Sequence, residues 1–247
     1  MSFMTTPDDP IQKRVDSVGR LLPHVEAKIV SEHDRTKILP IGQKGELVVA
    51  GYNVMKGYYG DPERTDEVLV RQTTEEGEKT WMHTGDEAEM DSEGYVRITG
   101  RIKDLIIRGG ENIHPLEIEN VLFKHEYISE ASVVGLPDPK YGEVVAAFIV
   151  VHHGVRVGRD DLGYGEKAID TGVGESGERI LTRENVREWV GAQLSAHLVP
   201  KYVFWTQEYP KTASGKIKKF KLREMGSEWL KRRKEREEVR RGKGERG

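Results

Sequence analysis

The sequence predicts an α+β protein in two parts: an incomplete antiparallel, barrel-like β subdomain, then a small α+β domain whose short sheet is flanked by helices. Three observations lead there. Up to about residue 100, short alternating or apolar runs are separated by frequent turn signals. From about residue 104, β-branched runs are interleaved with stretches of helical period. Between them, residues 94–119, GYVRITGRIKDLIIRGGENIHPLEIE, pass from a strand through a charged joint without apolar period to a second strand, two glycines and a helix start.

In chain order, residues 1–16 are polar, carry Pro7 and Pro10, and read as a loose arm. Residues 25–30 alternate; residues 45–51 hold the run GluLeuValValAla; residues 81–83 and 95–99 complete a set of short strands. Pro40 with Gly42, Asp61–Pro62 and residues 91–94 supply the turns, and residues 62–69 suit one short helix. Such a set suggests a small antiparallel sheet or partial barrel.

Beyond the joint, Pro115 suits the first turn of a helix, where its missing N–H costs nothing, and Leu116, Ile118, Val121 and Leu122 supply the apolar side. Residues 131–136 and 144–151 read as strands around a turn-rich loop at 137–142. Residues 154–177, rich in Gly and charge, read as a long mobile connection. Thr182 caps a helix whose core face is Val186, Trp189, Val190, Leu194 and Leu198, ended by Pro200. Residues 202–205 form a last strand, and residues 210–223 a basic loop leading to a short helix.

Composition bounds the function. The 247 residues are 36% hydrophobic and 33% charged, enough for real cores. A net charge of −3 argues against a protein built around nucleic acid. The absence of cysteine excludes disulfides, thiolate metal sites and a Cys nucleophile. No apolar run approaches the ~20 residues of a membrane span, and the first ten residues lack the apolar core of a signal peptide. The expected location is cytoplasmic, with peroxisomal or membrane-peripheral placement left open. Between residues 231 and 247, nine Lys or Arg stand against four Glu. This tail reads as a solvated helix rather than a basic arm, because it has no apolar face to lay on a membrane.

Four segments, in this order, resemble one family: GELVVAGYNVMKGYYGDPERT (residues 45–65), WMHTGDEAEMDSEGYVRITGR (81–101), the joint itself, and PKTASGKIKKFKLR (210–223). Together they look like the C-terminal part of the adenylate-forming enzymes, in the acyl-CoA synthetase and aryl-CoA ligase branch. Residues 17–30 resemble the segment just upstream, and residues 158–182 look like an insertion. The resemblance implies a division into residues 17–102, the last subdomain of the adenylating domain; 103–225, a mobile C-terminal domain; and 226–247, a charged tail. It implies ATP, a carboxylic acid and CoA as substrates, giving an acyl-adenylate and then a thioester with release of AMP. Mg2+ is implied too, with its ligands outside this chain. The Ser/Thr/Gly-rich phosphate loop and the acyl pocket of the family are not visible here, so a missing N-terminal portion is expected and the chain is expected to be inactive alone. A non-catalytic nucleotide- or CoA-binding module, or a basic-tailed interaction protein, are the other readings.

By the same resemblance, Asp86 accepts hydrogen bonds from ribose hydroxyls; the alternative is an Asp closing a turn. Arg101 reaches the same ribose or a phosphate; the alternative is a surface ion pair. Lys103 is the hinge residue, with Asp104 its rival. Gly109 and Gly110, with Glu111 beside them, line the path of the thiol carrier; the alternative is a plain strand-to-helix turn needing positive φ. Pro200 and Lys201 lie near the CoA nucleotide. Lys216 is the catalytic cation, its ammonium stabilising charge that builds between the carboxylate and the α-phosphate; the alternative is one of five lysines on a solvated loop between Lys211 and Lys221.

Overall fold

Five strands make the main sheet of the first half. The structure, a computed structural model, describes residues 1–74, 77–158 and 179–244. It divides into two units, residues 1–103 and 104–247.

In the first unit β1 (Phe3–Met4) pairs with β2 (Arg20–Leu21), and α1 (Ile11–Asp16) lies between them. The main sheet follows: β3 (Val25–Val30), β4 (Gly45–Gly51), β5 (Leu69–Thr74), β6 (Gly77–Met90) and β7 (Val96–Arg101), with α2 (Pro62–Val68) leading into β5. Asp61 caps α2, its carboxylate accepting from the Arg64 N–H at 3.0 Å. The 14-residue β6 is the axis of the sheet. Its one edge takes β4; its other edge takes β5 along the first half and β7 along the second. One face packs Ile29, Leu47, Val49, Ala88 and Val96, the other Val30, Val48, Ala50 and Trp81. A sheet covered on both faces explains why residues 46–50 are apolar almost without alternation.

Residues 1–16 are not a loose arm. Lys13 Nζ binds Asp91 at 2.5 Å and Glu93 at 2.7 Å, the Tyr95 hydroxyl donates to Asp9 at 2.6 Å, and the Val18 N–H donates to the Val96 carbonyl at 2.8 Å. These partners are far along the chain, so no local pattern announces them. The strand β5 also went unread, because its sequence LeuValArgGlnThrThr carries little apolar signal.

The second unit begins with β8 (Ile106–Arg108), β9 (Glu111–Ile113) and α3 (Pro115–Leu122). Next come the long hairpin β10 (Ile128–Asp138) and β11 (Gly142–Val151), then β12 (Val155–Val157), β13 (Arg179–Leu181), α4 (Arg183–Gly191), β14 (Tyr202–Trp205) and α5 (Lys219–Gly244). Strand β11 pairs antiparallel with β10 and parallel with β14, and meets β8 at its start. Helices α3 and α4 cover one face through Ile118, Leu122, Val186 and Val190 against Val133, Ala147 and Val203. Helix α5 covers the other, Leu222 packing with Leu136, Phe148 and Phe204. Trp229 adds ring contacts at 5.7 Å from Phe148 and 5.2 Å from Phe204. Both apolar hairpin strands are thus buried on two sides.

Three expectations change. The helix capped by Thr182, with a full capping box to Asn185, stops at Gly191, and Leu198 sits on a separate 3-10 turn, Ala196–Leu198. The last helix is long, 26 residues, because its first turns dock on the sheet before the charged stretch begins. Inside the range read as a loop, β12 pairs parallel with β13, and Val155 and Leu181 enter the core. The rest of that connection, and most of the expected insertion at 158–182, lies outside the described residues.

Candidate functional site

In the first unit the chemistry gathers at a fault in β6. Val48 pairs with His83 and Glu46 with Glu87, so three residues of β6, Thr84, Gly85 and Asp86, stand opposite Leu47 alone. This is a β-bulge, a device that re-aims side chains. Gly85 has φ +70, a conformation that a side chain disfavours although the space beside it is open. The Thr84 hydroxyl donates to the Leu47 carbonyl at 2.7 Å and accepts from the Asp86 N–H at 3.1 Å. A second register shift, between Glu87 and Ala88, faces β7. Asp86 therefore sits within the bulged strand β6 rather than closing a turn.

Asp86 pairs across the ladder with Arg101, and Arg101 Nε reaches Asp86 Oδ1 at 2.6 Å. The two side chains project to the same place, with 26% of the Asp and 60% of the Arg side chain exposed. A carboxylate oxygen and a guanidinium fork side by side on neighbouring strands can hold vicinal hydroxyls and a nearby anion together.

Beneath the bulge lies a group that sequence reasoning passed over. Glu46 and His83 are buried, at 4% and 7% exposure. His83 Nδ1 meets Glu46 Oε2 at 2.7 Å, and the Gly85 N–H donates to Glu46 Oε1 at 3.2 Å. Burial pushes the Glu46 carboxyl up, but the His83 ring, Arg35 and the Gly85 N–H more than offset it and hold it below the usual carboxylate range. The neighbouring Glu32 is raised, by burial first and then by Glu87. A charged residue at the mouth of an apolar run, and a histidine just before ThrGlyAsp, were the available signals.

The first unit ends at Lys103, an exposed residue on a 3-10 turn, Ile102–Asp104.

In the second unit Gly109 and Gly110 form the two-residue loop of the β8–β9 hairpin, at φ +62 and +91. A two-residue hairpin with both positions left-handed is the reason for two glycines; the turn joins strand to strand, not strand to helix. The Gly109 N–H donates to the Tyr141 carbonyl at 2.8 Å, and beside Gly110 there is open space. Glu111 is exposed and 3.5 Å from His197 Nε2. The Pro200 carbonyl accepts from Arg187 Nε at 3.2 Å. The Lys201 ammonium is committed to Asp138 at 2.5 Å, so a phosphate would compete with that carboxylate. Lys201, with the backbone N–H groups of Lys140 and Tyr141, holds the Asp138 carboxyl down at about 2.

Lys216 lies outside any helix. The Thr212 N–H donates to the Lys216 carbonyl at 2.8 Å, and the Lys216 N–H to the Thr212 hydroxyl at 3.1 Å. The turn is anchored at its roots: the buried Tyr209 hydroxyl donates to the Phe148 carbonyl at 2.8 Å, and Lys219 Nζ binds Glu119 at 2.8 Å. The Lys216 side chain is exposed. A long cation on a short, fixed turn can reach into a site without itself being part of a rigid element. Among the described residues, no group of three or more His, Asp or Glu is placed to hold a metal ion.

Comparison with known proteins gives this arrangement its class. The model of the AMP-binding enzymes matches residues 1–59, and that of the AMP-binding enzyme C-terminal domain matches residues 117–216. The chain belongs to the AMP-binding, adenylate-forming enzymes and carries their C-terminal domain. It is 42% identical to an acyl-CoA ligase of Aspergillus fumigatus over 94% of this chain and 36% of that protein. It is 38% identical to a mitochondrial medium-chain acyl-CoA ligase of Rattus norvegicus over 94% of this chain and 32% of that protein. The crystal structure of ATP-bound MatB from Rhodopseudomonas palustris superposes with a TM-score of 0.70 at 31% identity, covering 92% of this chain and 38% of that one. The chain thus spans about a third of the length of the curated relatives it matches. The α+β fold expected from the sequence is the fold of these enzymes' C-terminal region.

Proposed function

We propose that this chain is the C-terminal part of an acid–thiol ligase that joins a carboxylic acid to CoA at the expense of ATP, through an acyl-adenylate. The observation that carries the reading is the Asp86–Arg101 pair, held across two strands at a glycine bulge within a chain of this family. In this reading Asp86 and Arg101 hold the ribose. Lys216 places its ammonium where charge builds on the α-phosphate and the attacking carboxylate, a contribution of positioning and electrostatics rather than proton transfer. The Gly109–Gly110 hairpin, with Glu111, lets the pantetheine arm pass close to the backbone, and Pro200 and Lys201 lie towards the CoA nucleotide. Lys103, exposed on a short 3-10 turn at the division between the units, is the hinge. A magnesium ion would neutralise the phosphates from ligands outside this chain. The domain limits implied by the resemblance, 17–102, 103–225 and 226–247, belong to the same proposal.

In this reading the phosphate loop and acyl pocket lie outside this chain, which is inactive by itself and cytoplasmic; no described helix is long and apolar enough to cross a membrane. The chain's coverage of only about a third of its relatives favours a second reading, a non-catalytic module that binds nucleotide or CoA or complements a separate N-terminal part.

The test joins the chain to the N-terminal two-thirds of the Aspergillus relative and measures the two half-reactions separately. Lys216→Ala should slow adenylate formation by about 100-fold or more. Thioester formation from preformed adenylate should stay within about threefold. Equal loss of both would contradict the role given to Lys216.

A further inference from the structure

We infer that Glu46, acting with His83, is a positioning residue for a vicinal-diol subsite made by Asp86 and Arg101. This deepens the ribose reading above and rests on it. Glu46 and His83 are buried, whereas the Asp86 and Arg101 side chains are partly exposed.

The argument starts from the ladder. At the bulge, residues 84–86 lose regular pairing with β4, so the half-buried Gly85 N–H needs an acceptor from elsewhere. The Glu46 carboxylate makes good the loss. One oxygen takes the Gly85 N–H at 3.2 Å; the other takes the imidazole of His83 at 2.7 Å, with Arg35 Nε at 3.7 Å. Thr84 completes the frame, its hydroxyl bridging the Leu47 carbonyl and the Asp86 N–H.

The bulge therefore has one geometry, enforced by a carboxylate from the neighbouring strand. Asp86 is the next residue. A bidentate contact to two adjacent hydroxyls tolerates little error in where the carboxylate points. A bulge free to slip would let Asp86 swing and Arg101 follow it. A buried carboxylate is costly to keep where a Leu would pack, and stability alone does not account for it. A requirement to aim Asp86 does.

The experiment uses the 247-residue chain and two readouts. The first is amide hydrogen exchange at Gly85, read against Val49 in the same sheet. The second is titration with AMP and with its 2′,3′-dideoxy analogue, which lacks the diol.

In the unaltered chain AMP should bind at least tenfold more tightly than the dideoxy analogue. Glu46→Ala should raise Gly85 exchange at least 30-fold over Val49 and erase the preference for AMP, leaving affinity for the analogue within threefold. Glu46→Gln, which keeps an acceptor for the Gly85 N–H, should retain most of the preference. Gly85→Val, which disturbs the bulge through φ alone, should lose it even if Glu46→Ala fails to fold.

Equal loss of both ligands in Glu46→Ala, or an unchanged preference in Glu46→Ala or in Gly85→Val, overturns the inference and leaves the ribose reading standing. Failure of the unaltered chain to prefer AMP overturns the ribose reading and this inference with it.

Discussion

Removing the carboxylate of Glu119 should loosen the second unit from one edge of its sheet to its last helix. Glu119 lies on α3 at 9% exposure. Among the described residues, β10 is paired on one side only, by β11. On its open side the N–H of the fully buried Val133 donates to Glu119 Oε1 at 2.8 Å. The same oxygen takes Lys219 Nζ, at the start of α5, at 2.8 Å. Glu119→Ala leaves the Val133 donor unsatisfied, at ~1–3 kcal/mol. It also frees an ammonium whose side chain is 21% exposed, so that part of the loss is only ~0.5–1 kcal/mol after solvent screening. The sum is ~1.5–4 kcal/mol. Glu119→Gln keeps an acceptor and should cost ~1 kcal/mol. Because the chain has two units, a single unfolding curve is a poor gauge. The measurement is residue-resolved hydrogen exchange at Val133 and Phe148, in both variants and in a double-mutant cycle with Lys219→Met. Protection in Glu119→Ala within ~0.5 kcal/mol of the parent, or a coupling of zero to Lys219, would refute the reasoning.

Three further outcomes are expected. The Asp138 carboxyl, ordinarily at 3.8, is held at about 2 in the fold, chiefly by Lys201. The stability it gives is complete above pH 3.8 and declines as pH falls towards 2; Asp138→Asn should flatten that part of a pH-dependent unfolding profile. Burial pulls His125 below its ordinary 6.5, and its neutral Nδ1 accepts the Tyr127 N–H at 3.1 Å. Unfolded chain therefore takes up the proton first, stability falls as pH drops below 6.5, and His125→Gln should remove that slope in the second unit's hydrogen exchange. A Cβ at Gly226 of α5 would meet Leu136 Cδ1 at 2.9 Å and Phe148 Cζ at 3.2 Å. Gly226→Val should overpack this contact and cost ~1–3 kcal/mol despite the better helix propensity, read as earlier loss of Trp229 fluorescence burial on denaturation.

Much of the candidate site was legible because it is local. ThrGlyAsp before a second strand, two adjacent glycines between β-branched runs, and a lysine after AlaSerGly each carry their meaning within a few residues. Strands with continuous apolar character, β4, β10 and β11, were read correctly because burial on both faces writes itself along the sequence. The N-terminal segment was misread for the opposite reason. Lys13 and Asp9 look like solvated charges until folding brings Asp91, Glu93 and Tyr95, about 80 residues on in the chain, against them.

Glu46 and His83 make the same point within the site. Each is an ordinary polar residue in its own strand, and only the offset between β4 and β6 sets them against one another and against the Gly85 N–H. Likewise Lys201 reads as a free cation until folding brings Asp138 to it across 63 residues. The order of apolar and turn residues determined which segments became strands and helices and which side chains carry charge and reach. The pairing of strands decided which charges neutralise each other and which way Asp86 points, because register and bulges depend on contacts between segments that no single stretch contains.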